Sequence, residues 1–145
     1  MWFGTQDGLN RYDGYQVKVF RNDPSDTATL SSSDVTCLLQ VKPDLMLVGT
    51  REGLNFMNLV TGDFRRVHGS GKFRSSRINT LLDLDSAFVL AGTDEGLALI
   101  DLSDGSASAL LFNGESAVGK RLARINGVVY AGTADKGLWA LGSGS

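Results

Sequence analysis

Trp2-Phe3-Gly4-Thr5-Gln6-Asp7-Gly8-Leu9-Asn10 recurs three more times in this chain, worn but legible, and that recurrence settles its architecture. Leu47-Val48-Gly49-Thr50-Arg51-Glu52-Gly53-Leu54-Asn55 is the second copy and Leu90-Ala91-Gly92-Thr93-Asp94-Glu95-Gly96-Leu97-Ala98 the third. Tyr130-Ala131-Gly132-Thr133-Ala134-Asp135-Lys136-Gly137-Leu138-Trp139 is the fourth. The leading glycines stand 45, 43 and 40 residues apart. A period of this size along a whole chain means stacked supersecondary units. Roughly 40 to 50 residues accommodates four short strands, the blade of a β-propeller.

Working outward from the first copy, Trp2 to Thr5 and Leu9 to Tyr12 read as strands joined through Gln6-Asp7-Gly8. Glycine there takes the positive φ that closes a hairpin. Asp13-Gly14 turns the chain into Gln16 to Phe20, whose polar and apolar residues alternate as on a half-exposed outer strand. Arg21 to Asp26, with its proline, is a loop that leads through Leu30 to Asp34 into the strand Val35 to Val41. Leu45 to Thr50 is continuously apolar up to its glycine-threonine pair, which suits a strand covered on both faces. The plan repeats to give units 1–20, 35–67, 78–112 and 121–141, with three, four, four and three strands. The expected fold is all-β, a β-propeller fragment of about three and a half four-stranded blades, with almost no helix. Naming strands A to D from the axis outward, the first unit begins at B and the last stops after C. Gly142-Ser143-Gly144-Ser145 reads as a flexible tail.

Composition is that of an ordinary folded chain, with 42% apolar and 21% charged residues. A formal net charge of −2, with both signs interspersed, gives no reason to expect nucleic acid or a membrane surface as partner. Arg65, Arg66, His68, Lys72, Arg74 and Arg77 form a local basic group that reads either as a solvated loop or as a contact for an anion or acidic partner. Cys37 is the only cysteine and alternates with Val35 and Leu39, the pattern of a packed side chain rather than a reactive thiol. No run approaches the ~18 apolar residues of a membrane helix, so no membrane contact is expected from this segment. No signal peptide opens the chain, and a chain that begins inside a repeat does not establish a cytosolic home.

Trp2 to Gly14 closely resembles the two-component regulator propeller repeat. Phe20 to Asp26 and Leu30 to Val35 resemble the loop and inner-strand lead-in of that repeat. The third and fourth copies are looser, and the fourth carries one extra residue between Gly132 and Gly137. That family builds the periplasmic sensor portion of hybrid two-component regulators in Bacteroides-like bacteria, ahead of a membrane helix and a histidine kinase. The resemblance implies a periplasmic, non-catalytic sensing segment whose parent recognises glycan-derived oligosaccharide.

In a propeller the B-to-C turns and the D-to-A loops emerge on one rim. This groups Gln6, Asp7, Arg51, Glu52, Asp94, Glu95, Asp135 and Lys136 around one end of the channel as candidate ligand-binding residues. The competing reading is that Asp and Glu precede glycine because the hairpin prefers them there. Trp2 and Trp139 read as rings packed between blades, or else as platforms for a sugar. For catalysis the inventory is thin. His68 is the only histidine and has no spaced carboxylate or cysteine beside it, so no catalytic residue, metal site or cofactor is assigned.

A first unit without its inner strand and a last unit without its outer one leave hydrogen-bonding edges bare. The expectation is a homo-oligomer formed through those open blades. A propeller scaffold for protein contacts is the alternative to glycan sensing.

Overall fold

The computed structural model describes residues 1–26, 28–69, 76–85, 87–110, 118–126, 128–133 and 137–141. Within them the strands fall into four sheets and no helix occurs. Blade 1 is β1 (Trp2–Thr5), β2 (Gly8–Tyr12) and β3 (Val17–Phe20). Blade 2 is β4 (Val35–Lys42), β5 (Leu45–Thr50), β6 (Gly53–Asn58) and β7 (Phe64–Arg66). After the two-residue β8 (His68–Gly69), blade 3 is β9 (Ile78–Asp83), β10 (Phe88–Thr93), β11 (Gly96–Asp101) and β12 (Ser106–Leu110). Blade 4 is β13 (Gly119–Ile125), β14 (Val128–Thr133) and β15 (Leu138–Leu141). Sequential strands within each blade pair antiparallel. The innermost strands touch in succession, β1 with β4, β4 with β9 and β9 with β13. Sheets fanned out from neighbouring inner edges are propeller blades, and the chain is an open arc of four.

Alternation along each strand divides its side chains between the two neighbouring blades. In β5, Met46 and Val48 pack toward blade 1 with Leu9 and Leu30, while Leu47 faces the other way. Leu47, Leu54 and Phe56 join Val89, Ala98 and Ile100 of blade 3 in the largest apolar cluster. Leu90 and Leu97 then meet Val129 and Ala131 of blade 4. A strand with neighbours on both sides must be apolar at every position, which is why Leu45 to Thr50 lacks a polar face.

The first glycine of each repeat is a packing requirement. A Cβ on Gly4 would run into Val35, one on Gly49 would lie 2.8 Å from Ile78 Cγ2, and one on Gly92 would lie 3.0 Å from the Gly119 carbonyl. Val35, Ile78 and Gly119 occupy the same place at the start of the next blade's inner strand. The absent side chain therefore lets successive blades approach closely.

Two features depart from the expected plan. His68–Gly69 lies in a stretch read as loop, yet its backbone pairs in parallel with Ser106 and Ala107 and adds a fifth strand to the outer edge of blade 3. A free edge offers unpaired backbone groups, and a passing extended segment satisfies them whatever its side chains. The inner strand of blade 4 begins at Gly119, two residues before the expected start, because Gly119 pairs with Thr133 across a bulge. Phe112, Trp139's side chain and residues 142–145 lie outside the described residues.

Trp2 packs into the cluster between blades 1 and 2, its ring 5.9 Å from that of Phe20. Cys37 packs against Gly49, and burial pushes its thiol up to about 11. A thiol held protonated is a poor nucleophile, so Cys37 is a packing residue.

Candidate functional site

The B-to-C turns are built around the threonine of the repeat. Thr5, Thr50, Thr93 and Thr133 each donate a hydroxyl hydrogen bond to the carbonyl of the turn glycine, at 3.2, 2.9, 2.7 and 2.6 Å. In the first three turns the same hydroxyl accepts the backbone N–H of Asp7, Glu52 or Glu95, each at 3.1 Å. Gly8, Gly53, Gly96 and Gly137 all have positive φ. The turn is thus held by threonine and glycine, and in the first three turns the two residues between them are exposed.

Gln6, Asp7, Arg51, Glu52, Asp94 and Glu95 are all exposed at these turns. Asp135 and Lys136 lie outside the described residues. Loops from the other side of each blade reach the same rim. Arg51 donates its backbone N–H to the Asp34 carbonyl at 2.9 Å, and Asp94 donates its own to the Arg77 carbonyl at 3.1 Å. Arg21 Nε donates to the Asp7 carbonyl at 3.1 Å.

Bulges supply what the repeat pattern conceals. Each complete inner strand carries one extra residue just inside the rim, shown by register shifts between Val35 and Cys37, at Gly92/Thr93, and between Gly119 and Arg121. The extra residues are Thr36, Asn79 and Lys120. A bulge re-aims a side chain, and these cross the seams between blades. Thr36 Oγ1 donates to the Ile78 carbonyl at 2.5 Å, and Asn79 Nδ2 makes the equivalent bond to the Gly119 carbonyl at 2.9 Å. Asn79 Nδ2 also reaches Asp94 Oδ1 at 2.9 Å, and Lys120 Nζ lies 3.5 Å from the same oxygen. The Asn79 amide, with Lys120 and Arg77 nearby, holds the Asp94 carboxyl below its ordinary range. Of the sequence-expected rim residues, Asp94 alone among those described enters such a cluster. Thr36, Asn79 and Lys120 were not singled out from sequence, and the available signal was their shared offset of twelve to thirteen residues before each repeat glycine.

The basic group divides. Arg65 lies over the Phe56 ring, 5.3 Å from its centroid, and Arg66 Nη2 approaches the Leu30 carbonyl at 3.5 Å. Both belong to β7 and serve packing, while Arg77 is exposed beside Asp94's turn. Lys72, Arg74 and the His68 side chain lie outside the described residues. Among the described residues no three His, Cys, Asp or Glu side chains converge as metal ligands.

The fold defines a propeller arc, and solved structures with that fold are known. Across 99% of its length the chain matches the extracellular domain of a chain described as a hybrid two-component system of B. thetaiotaomicron, at TM-score 0.75 and 24% identity. A second extracellular domain from the same organism matches over the same share at TM-score 0.80 and 23% identity. The chain spans 20% and 19% of those two structures. The computationally designed Ika4 protein also matches, at TM-score 0.68 and 20% identity, with 84% of that chain covered. At these identities the likeness is one of fold. In sequence, 31 residues are 48% identical to part of histidine kinase P4 of Formosa agariphila, 21% of this chain and 2% of that protein. No protein-family model matches the chain.

Proposed function

We propose that the chain is a non-catalytic sensing segment of a periplasmic receptor, and that its rim recognises oligosaccharide. The observation that carries the reading is the Asn79–Asp94–Lys120 cluster, which sets an acceptor, an amide and a cation side by side where a solvent-facing turn meets the bulges of two inner strands. Vicinal hydroxyls of a sugar both donate and accept, so this combination suits them. The fold likeness to extracellular domains of two-component systems, and the short match to a histidine kinase, support the sensing and periplasmic parts. The same rim includes Gln6, Asp7, Arg51, Glu52 and Glu95 as further contacts.

Isothermal titration against a panel of neutral and acidic oligosaccharides tests this. Hydrogen bonds to charged groups contribute about 1.5–3 kcal/mol, so Asp94→Ala should weaken binding roughly tenfold or more. Absence of heat across the panel, or binding indifferent to Asp94→Ala and Asn79→Ala, would count against the site. A scaffold role in protein contacts is the second reading, favoured by the apolar flanks of the arc.

A further inference from the structure

Blades 2 and 3 use one repeat position in two ways. Thr36 and Asn79 are the bulge residues of β4 and β9, both half-buried just inside the rim. Each donates to the carbonyl of the residue that opens the next inner strand, Thr36 to Ile78 and Asn79 to Gly119. A threonine hydroxyl has one hydrogen to give, so Thr36 is committed to the seam. An asparagine amide has two, and Asn79 gives the second to Asp94 Oδ1 at 2.9 Å. The turns match this difference. Where blade 3 has Asp94, blade 2 has Arg51, whose guanidinium holds donors only. The carboxylate stands beside the bulge residue with a hydrogen to spare, and the guanidinium beside the one with none.

Both partners of Asn79 Nδ2 are acceptors, which fixes the orientation of the amide. Turned over, its oxygen would oppose a carbonyl and a carboxylate. Asp94 Oδ1 takes the Asn79 N–H and also lies 3.5 Å from Lys120 Nζ. Asp94 Oδ2 makes no hydrogen bond to any described residue. One oxygen is therefore tied to an inner strand, and the other is left for a group from outside. Lys120 is likewise exposed, and Asp94 uses at most one of its three N–H groups.

We infer that Asn79 is the positioning residue of the rim, fastening Asp94 to the seam between blades 3 and 4 and presenting Oδ2 as a fixed acceptor for a neutral vicinal diol. The choice of ligand rests on the oligosaccharide reading of the rim, whereas the fastening does not. A group that meets Oδ2 must donate, as a sugar hydroxyl does and a uronate carboxylate or sulfate does not. The neighbouring hydroxyl then accepts from Lys120. Fastening contributes by removing beforehand the side-chain freedom that binding would otherwise have to remove.

The proton is the first probe. The charged groups around Asp94 are Lys120 on β13, Arg77 just before β9 and Glu95 beside it in the turn. Salt screens these exposed charges and leaves the amide bond in place. Followed by NMR as pH is lowered, the Asp94 carboxyl of the parent should titrate below the ordinary carboxylate value, in high salt as well as low. Asn79→Thr copies blade 2. It should leave the urea midpoint unchanged while the Asp94 carboxyl returns toward its ordinary value. Asn79→Asp sets acceptor against acceptor and should carry that carboxyl above it. A carboxyl that titrates alike in parent and Asn79→Thr, or whose lowering vanishes in salt, overturns the positioning role. A urea midpoint that falls with Asn79→Thr makes Asn79 a structural residue and overturns it too.

Calorimetry with neutral and acidic oligosaccharides is the second probe. Asn79→Thr should weaken binding of the neutral members roughly two- to tenfold, the equivalent of one side chain newly immobilised. Neutral binding unmoved by Asn79→Thr overturns the positioning role, and a preference for acidic members overturns the diol. No heat from any member, with the titration as expected, sinks the oligosaccharide reading and leaves the fastening standing.

Discussion

The seam between blades 1 and 2 is closed by buried polar groups, and the seam between blades 3 and 4 by exposed ones. At the first, the loop after β3 turns inward. Leu30 is fully buried among Leu9, Val48 and Met57, and Ser31 donates its N–H to Asn55 Oδ1 at 3.2 Å. Asn55 Nδ2 returns a bond to Ser31 Oγ at 2.9 Å, and that hydroxyl lies 3.0 Å from Thr50 Oγ1. Asn22 ties the loop to itself through the Leu30 carbonyl and Ser33 Oγ. At the other seam the position of Asn55 is taken by Trp139, whose side chain lies outside the described residues, and the rim is crossed by Asn79, Asp94 and Lys120, the last two about half exposed. One repeat plan thus yields a rim closed by buried side chains at one seam and, among the described residues, a solvent-facing polar cluster at the other.

Leu30→Ala is the strongest way to break the first seam. Loss of a fully buried leucine should cost about 2–5 kcal/mol in urea unfolding. Asn55→Ala should follow at about 1–3 kcal/mol, because it strands the Ser31 N–H in a half-buried site and takes one of the Ser31 hydroxyl's two partners. Gly92→Ala should cost a similar ~1–3 kcal/mol through overpacking against Thr80 and Gly119, while Gly132→Ala should stay within about 0.5 kcal/mol. Equal costs for those two glycines would refute the close-approach account.

Asp94→Asn should change stability least, by under about 1 kcal/mol, since the Lys120 pair is solvent-screened. Its carboxyl is lowered in the folded state. The contribution is therefore fully present above the ordinary carboxylate value of about 3.9 and is lost as pH falls through the lowered folded value. Asp94→Asn should flatten that acid limb slightly, and added salt should do the same to the parent. A variant with an unchanged acid limb would show that the carboxylate is uncoupled from folding.

The repeat glycines, the strand pairs and the alternation of Met46, Leu47 and Val48 between two clusters were legible in the sequence, because a period of two and a period of some forty residues are both written in residue type. The placing of the B-to-C turns beside the loops that precede each inner strand followed from the same plan. The threonine that holds each turn was present in all four copies, yet its role was ascribed to the acidic residues beside it. The bulges at Thr36, Asn79 and Lys120 were not legible, because a bulge is a property of two strands in register. The pairing of His68–Gly69 with blade 3 was hidden for the same reason, since it uses backbone alone.

Residue order by itself determined the four repeated units, where most of their strands run and which face of each must be apolar, because local turn chemistry and alternation act over a few residues. Tertiary structure alone decided that Leu30 would be a core residue, that Asp94 would gather an amide and an ammonium, and that Leu138 would lie bare where Leu54 is covered. Those outcomes depend on which blade stands next to which, and identical positions in a repeat become different once their neighbours differ.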